Sequence, residues 1–246
     1  MPPPLRRTSP PATPTGRSVV DRIHKRARRV SLSPSPELLI ALDRYLQLMA
    51  RWNTKINLTA FRLDDPTDEA LDRLLIEPLV AARHLPSGKV DTIDVGSGSG
   101  SPGIPLRLAA SDASLTLVES KTRKAVFLSE AVRHLGLAAN TKVETSRFEE
   151  LLTRPELHEA FDILTIRAVR VEPKTLLTLQ AFLKQDGQIA WFTGANVEPP
   201  QTLFPLVHVA TYPLLEGLRS ALVVLAKRPG RVRAIRRGAD RSVEGY

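Results

Sequence analysis

The chain has 246 residues, of which 42% are apolar, and a formal net charge of +9. This length and apolar content are sufficient for one large α/β domain with a substantial core. The chain has no cysteine, which excludes disulfides and thiolate metal sites and fits a reducing cytoplasm. The five scattered histidines predict no metal centre, and no apolar run predicts a membrane span.

The positive charge is concentrated at the two ends of the chain. Residues 1–35 hold eight Lys and Arg against Asp21 alone, whereas residues 36–226 hold 20 basic and 23 acidic residues. Residues 1–36 also hold eight of the twenty prolines. We therefore expect a disordered basic tail over residues 1–35, apart from a short helix near 19–30, and a second basic tail over 227–246. Such tails fit RNA phosphates, although a solubilising extension or a transit peptide has the same composition.

Residues 36–88 are predicted to be helical. Ser35 can cap a helix that begins at Pro36, and apolar residues recur at helical spacing as far as Trp52. A second amphipathic segment covers about residues 66–83 and is interrupted at Pro78. These segments form the N-terminal part of a domain that we place at residues 36–226.

Residues 89–226 alternate between predicted strands and predicted helices. Strands are predicted near 90–95, 114–119, 141–145, 161–166 and 187–193, and helices near 103–110, 121–136, 147–153 and 173–183. This alternation is typical of a Rossmann-like, doubly wound α/β fold with a mostly parallel sheet. Residues 207–212 and 220–226 then predict a closing antiparallel pair of strands.

A glycine-rich turn follows the first predicted strand. The run from Asp94 to Gly103 reads Asp-Val-Gly-Ser-Gly-Ser-Gly-Ser-Pro-Gly and opens a helix near Pro102. Gly96, Gly98 and Gly100 can take positive φ and let a ligand approach the bare backbone. A phosphate-binding Walker loop is excluded because Ile104 follows the last glycine, and no serine has the G-x-S-x-G spacing of a nucleophile elbow. The turn therefore predicts a cofactor cradle.

The second predicted strand ends in Glu119. In nucleotide-binding βαβ units an acidic residue at this place accepts hydrogen bonds from ribose hydroxyls. Gly98 to Gly103 also match the G-x-G-x-x-G of dinucleotide-binding folds, so this pattern fits NAD or S-adenosylmethionine.

Several separated segments resemble one family in its own order. The chain is similar to the RsmG (GidB) family of class I S-adenosylmethionine-dependent methyltransferases, whose members methylate N7 of one guanine in bacterial small-subunit (16S) ribosomal RNA. The resemblance covers about residues 36–227. The segments that carry it are Trp52-Asn53, Asn57-Leu58-Thr59, Asp94 to Gly98, Pro102 to Leu106, Lys124 with Phe127-Leu128, Ser146 to Glu150, Phe161-Asp162, Arg167-Ala168 and Ala221 to Leu225.

The resemblance implies the cofactor and the residues around it. S-adenosylmethionine is the implied cofactor, with Ser101, Phe148 and Glu149 lining its pocket and Arg167 beside the methyl-transfer centre as a cofactor, transition-state or substrate contact. We assign Arg123, Lys124 and Arg147 as further substrate contacts.

The chain also departs from the family at two places. Leu74 to Leu79 stand where members usually have a His and an Asp-Ser pair, and Thr193-Gly194 stand where they usually have Lys-Gly.

The closing antiparallel pair and Pro102 within the glycine run favour a methyltransferase over an NAD(P)-dependent oxidoreductase. A catalytically inactive RNA-binding module on the same fold is a further alternative. We expect a cytoplasmic monomer that acts on small-subunit ribosomal RNA or on an assembling small subunit. Guanine N7 carries a lone pair and no proton, so we expect no general base and no metal.

Overall fold

The structure, a computed structural model, describes residues 18–167, 171–200 and 203–228. Its α-helices are α1 (Val19–Arg29), α2 (Pro36–Asn53), α3 (Asp68–Leu71), α4 (Glu77–Ala81), α5 (Gly103–Ala109), α6 (Thr122–His134), α7 (Phe148–Leu151) and α8 (Pro173–Leu179). Its strands are β1 (Asp91–Val95), β2 (Ser114–Val118), β3 (Thr141–Glu144), β4 (Phe161–Arg167), β5 (Leu183–Gly194), β6 (Leu206–Pro213) and β7 (Ser220–Lys227).

The seven strands form one sheet in the order β3-β2-β1-β4-β5-β7-β6. Strands β1 to β5 pair in parallel, and β7 lies antiparallel to both β5 and β6. The predicted Rossmann-like fold with an antiparallel closing strand is confirmed. Because the first five strands are parallel, the carboxyl ends of β1, β2 and β4 lie at the same edge of the sheet.

Helices cover both faces of the sheet, and successive residues of each strand alternate between two cores. In β5, Ile189 and Trp191 pack with α8, whereas Ala190 and Phe192 belong to the core that also includes α2 and α6. Strand β7 alternates in the same way. The central strands are thus buried on both sides, as a parallel sheet requires.

The segment predicted at 66–83 is helical but irregular. Residues Asp72–Ile76 form a π-helical turn between α3 and α4, in which the Glu77 N–H donates to the carbonyl of Asp72. Pro78 lies in the first turn of α4, where its missing N–H costs little. This arrangement buries the side chain of Glu77, which is 1% exposed.

The basic ends match the expectation only in part where the structure describes them. The short helix predicted near 19–30 is present as α1, and its Ile23 and Ala27 are fully buried. The disorder expected for residues 31–35 is not seen, because Leu32 packs against the core and Ser35 caps α2. At the other end, Lys227 belongs to β7 and its ammonium donates to Glu159 at 2.8 Å. The remaining parts of the predicted tails, residues 1–17 and 229–246, lie outside the described residues.

Candidate functional site

A cleft of about 350 Å³ opens at the carboxyl ends of β1, β2 and β4. Parallel α/β sheets bind ligands at this edge, where loops leave the strands. The cleft is lined by Val95, Gly96, Val118, Glu119, Ser120, Ser146, Arg147, Phe148, Glu149, Ile166 and Arg167. Its walls therefore combine apolar strand ends with charged residues from the loops.

The glycine turn borders this cleft, and its glycines have different surroundings. Gly96, Gly98 and Gly100 all have positive φ, at +71°, +54° and +88°. A Cβ on Gly96 would meet no atom within 4 Å, whereas a Cβ on Gly100 would lie 2.6 Å from Cδ1 of Ile104 and 3.1 Å from the hydroxyl of Tyr45. Gly96 thus leaves room on the cleft side, and Gly100 allows close packing in the interior.

The carboxylate of Glu119 is held by the backbone of two loops. Its Oε2 accepts the Gly98 N–H at 2.9 Å, and its Oε1 accepts the Lys121 N–H at 2.8 Å. Each carboxylate oxygen can accept a second hydrogen bond. Glu119 is therefore fixed in orientation at the edge of the cleft, with acceptor capacity left for hydroxyl groups.

Asp94, directly before the glycine turn, is 1% exposed. Its Oδ1 accepts the Thr165 hydroxyl at 2.5 Å, and its Oδ2 has no hydrogen-bond partner among the described residues. Burial raises the pKa of this carboxyl to about 6, against smaller opposing effects of Thr165 and other neighbours. The interior behind the glycine turn therefore favours the neutral form of Asp94.

Arg167, the last residue of β4, is held from two sides. Its Nη1 donates to Oε2 of Glu77 at 2.6 Å, and its guanidinium carbon lies 4.9 Å from the centre of the Phe192 ring. Glu77 uses its other oxygen, Oε1, to accept from Arg73 at 3.0 Å. The Nε and Nη2 of Arg167 are buried and have no hydrogen-bond partner among the described residues. These two donors are therefore open to an acceptor from outside the described residues.

A second cavity, of about 420 Å³, lies on the other side of Arg167. It is lined by Arg73, Glu77, Arg167, Phe192, Thr193, Gly194, Val197, Leu218, Arg219 and Ala221. Arg167 borders both this cavity and the cleft beside the glycine turn. The two spaces therefore meet at one side chain.

The structure brings most of the predicted site residues together at the cleft. Gly96, Glu119, Arg147, Phe148, Glu149 and Arg167 line it, and Gly98 contacts Glu119.

Four other predicted residues lie elsewhere. Gly100 and Ser101 are buried, and the Ser101 hydroxyl donates to the carbonyl of Leu74 at 2.8 Å. Arg123 and Lys124 lie in the first turn of α6 and line neither space. The predicted roles of all these residues, inside and outside the cleft, stay predictions.

The sequence did not single out Glu77, Phe192 or Thr193 as site residues. Glu77 has a recognisable signal, since it is a carboxylate within the apolar run Leu74 to Leu79 of an amphipathic segment. A charge is rarely buried without a partner, so a distant cation could have been expected. The pairing with Arg167, ninety residues away, is visible only in the fold.

A sequence model of the GidB family, described as rRNA small subunit methyltransferase G, matches residues 39–201. The chain belongs to the GidB family. It is 35% identical over 198 residues to the ribosomal RNA small subunit methyltransferase G of Xylella fastidiosa strain 9a5c, a match that covers 77% of this chain and 87% of the relative. The protein of the same name from Xanthomonas euvesicatoria pv. vesicatoria strain 85-10 is 36% identical over 189 residues, or 74% and 84% of the two chains.

Solved structures support the fold at low sequence identity. The [4+2]-cyclase SpnF superimposes with a TM-score of 0.52 at 13% identity, covering 79% of this GidB-family chain and 97% of SpnF. A conserved hypothetical protein from Streptococcus pyogenes gives a TM-score of 0.50 at 14% identity, covering 62% and 96%. These likenesses concern the architecture alone.

S-adenosylmethionine is the cofactor of this GidB-family protein, and the cleft fits it. Gly96 leaves the cleft side of the loop free of a side chain, the fixed Glu119 carboxylate suits ribose hydroxyls, and the Phe148 ring suits a flat base. The NAD(P)-dependent and inactive alternatives receive no support from the family match.

Among the described residues, no helix is long and apolar enough to cross a membrane. No group of three or more His, Asp or Glu side chains within them is placed to hold a metal ion.

Proposed function

We propose that this protein transfers the methyl group of S-adenosylmethionine to N7 of a guanine in small-subunit ribosomal RNA. The observation that carries the proposal is the position of Arg167 between the cofactor cleft and the second cavity. The relatives of this protein are named as ribosomal RNA small subunit methyltransferases, which supports ribosomal RNA as the substrate. In this proposal the second cavity receives the target base.

The chemistry of N7 methylation matches the residues around the second cavity. S-adenosylmethionine supplies an electrophilic methyl group on a positively charged sulfur. The N7 lone pair forms the new N–C bond while the C–S bond breaks and its electron pair returns to sulfur. No proton moves, so the site needs alignment rather than a general base. Glu77 fits this expectation, because both of its carboxylate oxygens already accept from arginines.

Arg167 is the residue that we assign to alignment. The O6 atom of guanine lies beside N7 and accepts hydrogen bonds. The Nε and Nη2 of Arg167 have no partner among the described residues and can donate to such an acceptor. Glu77 offsets the charge of Arg167, which lowers its repulsion of the cationic sulfonium.

We further propose that the protein acts as a monomer in the cytoplasm. Its substrate in this proposal is naked small-subunit ribosomal RNA or an assembling small subunit. The guanine specificity rests on the family resemblance and on the chemistry of N7, which carries no proton for a residue to remove.

The direct test maps methylated guanines in ribosomal RNA from cells with and without the gene. Borohydride reduction followed by aniline cleaves RNA at 7-methylguanosine, so one cleavage site should disappear when the gene is deleted. Restoring the gene should restore the site, and restoring it as Arg167→Ala should not. An unchanged cleavage pattern after deletion would contradict the proposal.

A further inference from the structure

Helix α1 has an inner face that fixes it to the domain. Ile23 and Ala27 are fully buried against the helical segment around α2 and residues 72–76. Arg26 pairs with the buried Asp72, with Nε donating to Oδ1 at 2.8 Å, and Arg22 donates to the Pro66 carbonyl at 2.6 Å. These two arginines are neutralised by acidic residues of the domain, so their charge serves the packing of α1.

The outer face of α1 carries basic side chains without such partners. His24, Lys25, Arg28 and Arg29 are exposed and border a shallow surface depression together with Asp21. None of these four basic residues forms an ion pair with a described residue. The cationic charge of this face, hereafter the α1 outer face, is therefore not required by the fold.

Helix α1 is anchored near one wall of the second cavity. Asp72, which anchors Arg26, is five residues before Glu77, and Glu77 lines that cavity. At a rise of 1.5 Å per residue, Asp72 and Glu77 are less than about 8 Å apart along the segment. The width of helix α1, about 10–12 Å, then separates Asp72 from the outer side of α1. A nucleic acid with a base in the cavity therefore has phosphates within reach of α1.

We infer that the α1 outer face binds phosphates of the RNA substrate. Lys25, Arg28 and Arg29 carry positive charge that no described acidic residue pairs with, and this charge complements the phosphates of RNA. Helix α1 lies before residues 39–201, the segment that matches the family model. The inference rests on the proposed function, because it takes the RNA substrate from it.

The test compares two variants that each lose three cations. Lys25→Gln/Arg28→Gln/Arg29→Gln changes the α1 outer face and keeps long side chains of good helical propensity. The matched control is Arg51→Gln/Arg133→Gln/Lys142→Gln, since these three residues are exposed and form no ion pair with a described residue. Binding of both variants to a small-subunit ribosomal RNA fragment is measured at several salt concentrations, after circular dichroism has shown native helix content.

Each phosphate contact contributes about 0.7–0.9 to the slope of log affinity against log salt, so the α1 variant should lower that slope by about 2. The control should leave it unchanged. An unchanged slope in the α1 variant, or an equal loss in both variants, would overturn the inference. The proposed function is tested separately, by measuring methyl transfer to RNA catalysed by the wild-type protein at low salt. Methyl transfer by the wild type, together with an unchanged salt slope in the α1 variant, would reject this inference and leave the proposed function standing.

Discussion

At the scale of single residues, the buried Asp94 carboxyl, directly before the glycine turn, makes the free energy of unfolding depend on pH. Its pKa of about 6, raised by burial, exceeds the value of about 3.9 in an unfolded chain. Folding therefore favours the protonated form. The stability that this preference contributes is fully present below about pH 4, falls between about pH 4 and pH 6, and is absent above.

Replacing Asp94 with Asn should remove this pH dependence. Two units of pKa shift correspond to about 2–3 kcal/mol, so the variant should gain that much relative to wild type between pH 4 and pH 8. Urea unfolding of both proteins across this pH range measures the difference in their free energies of unfolding. The contributions of the other titrating groups cancel in this difference. A difference that does not change with pH would contradict the assigned burial effect.

We propose that Glu77 is a positioning residue, since it holds Arg167 between the cleft and the second cavity. Glu77→Gln should lower kcat for RNA methylation by about 10- to 100-fold, because a displaced guanidinium no longer aligns the base. The cofactor Kd should change little, since Glu77 lines the second cavity and not the cleft. Single-turnover kinetics and calorimetry measure the two quantities.

Asp72→Asn is the matched control, because Asp72 is also a buried carboxylate paired with an arginine but anchors α1 instead. Both variants should lose stability, since each removes a buried carboxylate that pairs with an arginine. Only Glu77→Gln should lose kcat. Equal losses of kcat would mean that Glu77 acts through stability alone.

At the scale of elements, two glycines of one loop should respond differently to the same substitution. Gly96→Ala and Gly100→Ala each add a Cβ at positive φ, which costs about 1–2 kcal/mol of stability. Gly100→Ala should cost a further 1–3 kcal/mol or so, because its Cβ would overlap Ile104. Gly96→Ala should instead weaken S-adenosylmethionine binding, since its Cβ would project into open space beside the cleft.

Thermal unfolding and calorimetry on both variants separate these effects. Normal cofactor binding by Gly96→Ala would mean that the cofactor does not lie against this loop. A stable Gly100→Ala variant would contradict the close packing of Gly100 against Ile104.

Helix α1 gives a prediction about where the chain can be shortened. Removing residues 1–17 should leave the domain's stability unchanged or nearly so. Removing residues 1–33 should cost about 3 kcal/mol or more, because it exposes the surface that Ile23 covers and leaves the buried Asp72 unpaired. Urea unfolding of the two shortened proteins decides; equal stability would contradict the packing of α1.

Local patterns in the sequence predicted the elements that local physics determines. The alternation of strands and helices, the glycine turn and the acidic end of β2 are each visible within a few residues, and the structure has all three. A short helix near 19–30 was also predicted, but its packing against the domain was not. The charge density around it indicated a disordered tail, whereas Arg22 and Arg26 are neutralised by acidic residues more than forty positions away.

At the scale of the whole molecule, the cleft beside the glycine turn was predictable and the second cavity was not. The cleft is formed by short loops whose sequence patterns are recognisable. The second cavity requires α4, β4, β5 and the residues before β7 to meet, and these segments are far apart in the chain. Residues 74–79 depart from the family pattern, and the fold places Glu77 of this segment beside Arg167.

The absence of a required proton transfer gives a prediction for the complete site. The rate of the chemical step should be nearly constant between about pH 7 and pH 9, since N7 methylation needs no base. Single-turnover measurements at saturating cofactor and RNA report that step. A steep ionisation within this range would show that a titrating group takes part.

The most direct measurement follows the methyl group itself. Purified protein is incubated with S-adenosylmethionine labelled at the methyl group and with small-subunit ribosomal RNA, and the RNA is digested to nucleosides for mass spectrometry. We expect label in 7-methylguanosine, at close to one methyl group per RNA, and greatly slowed transfer by Arg167→Ala. Label in any other nucleoside, or no transfer by the wild-type protein to RNA or to small subunits, would contradict the proposed function.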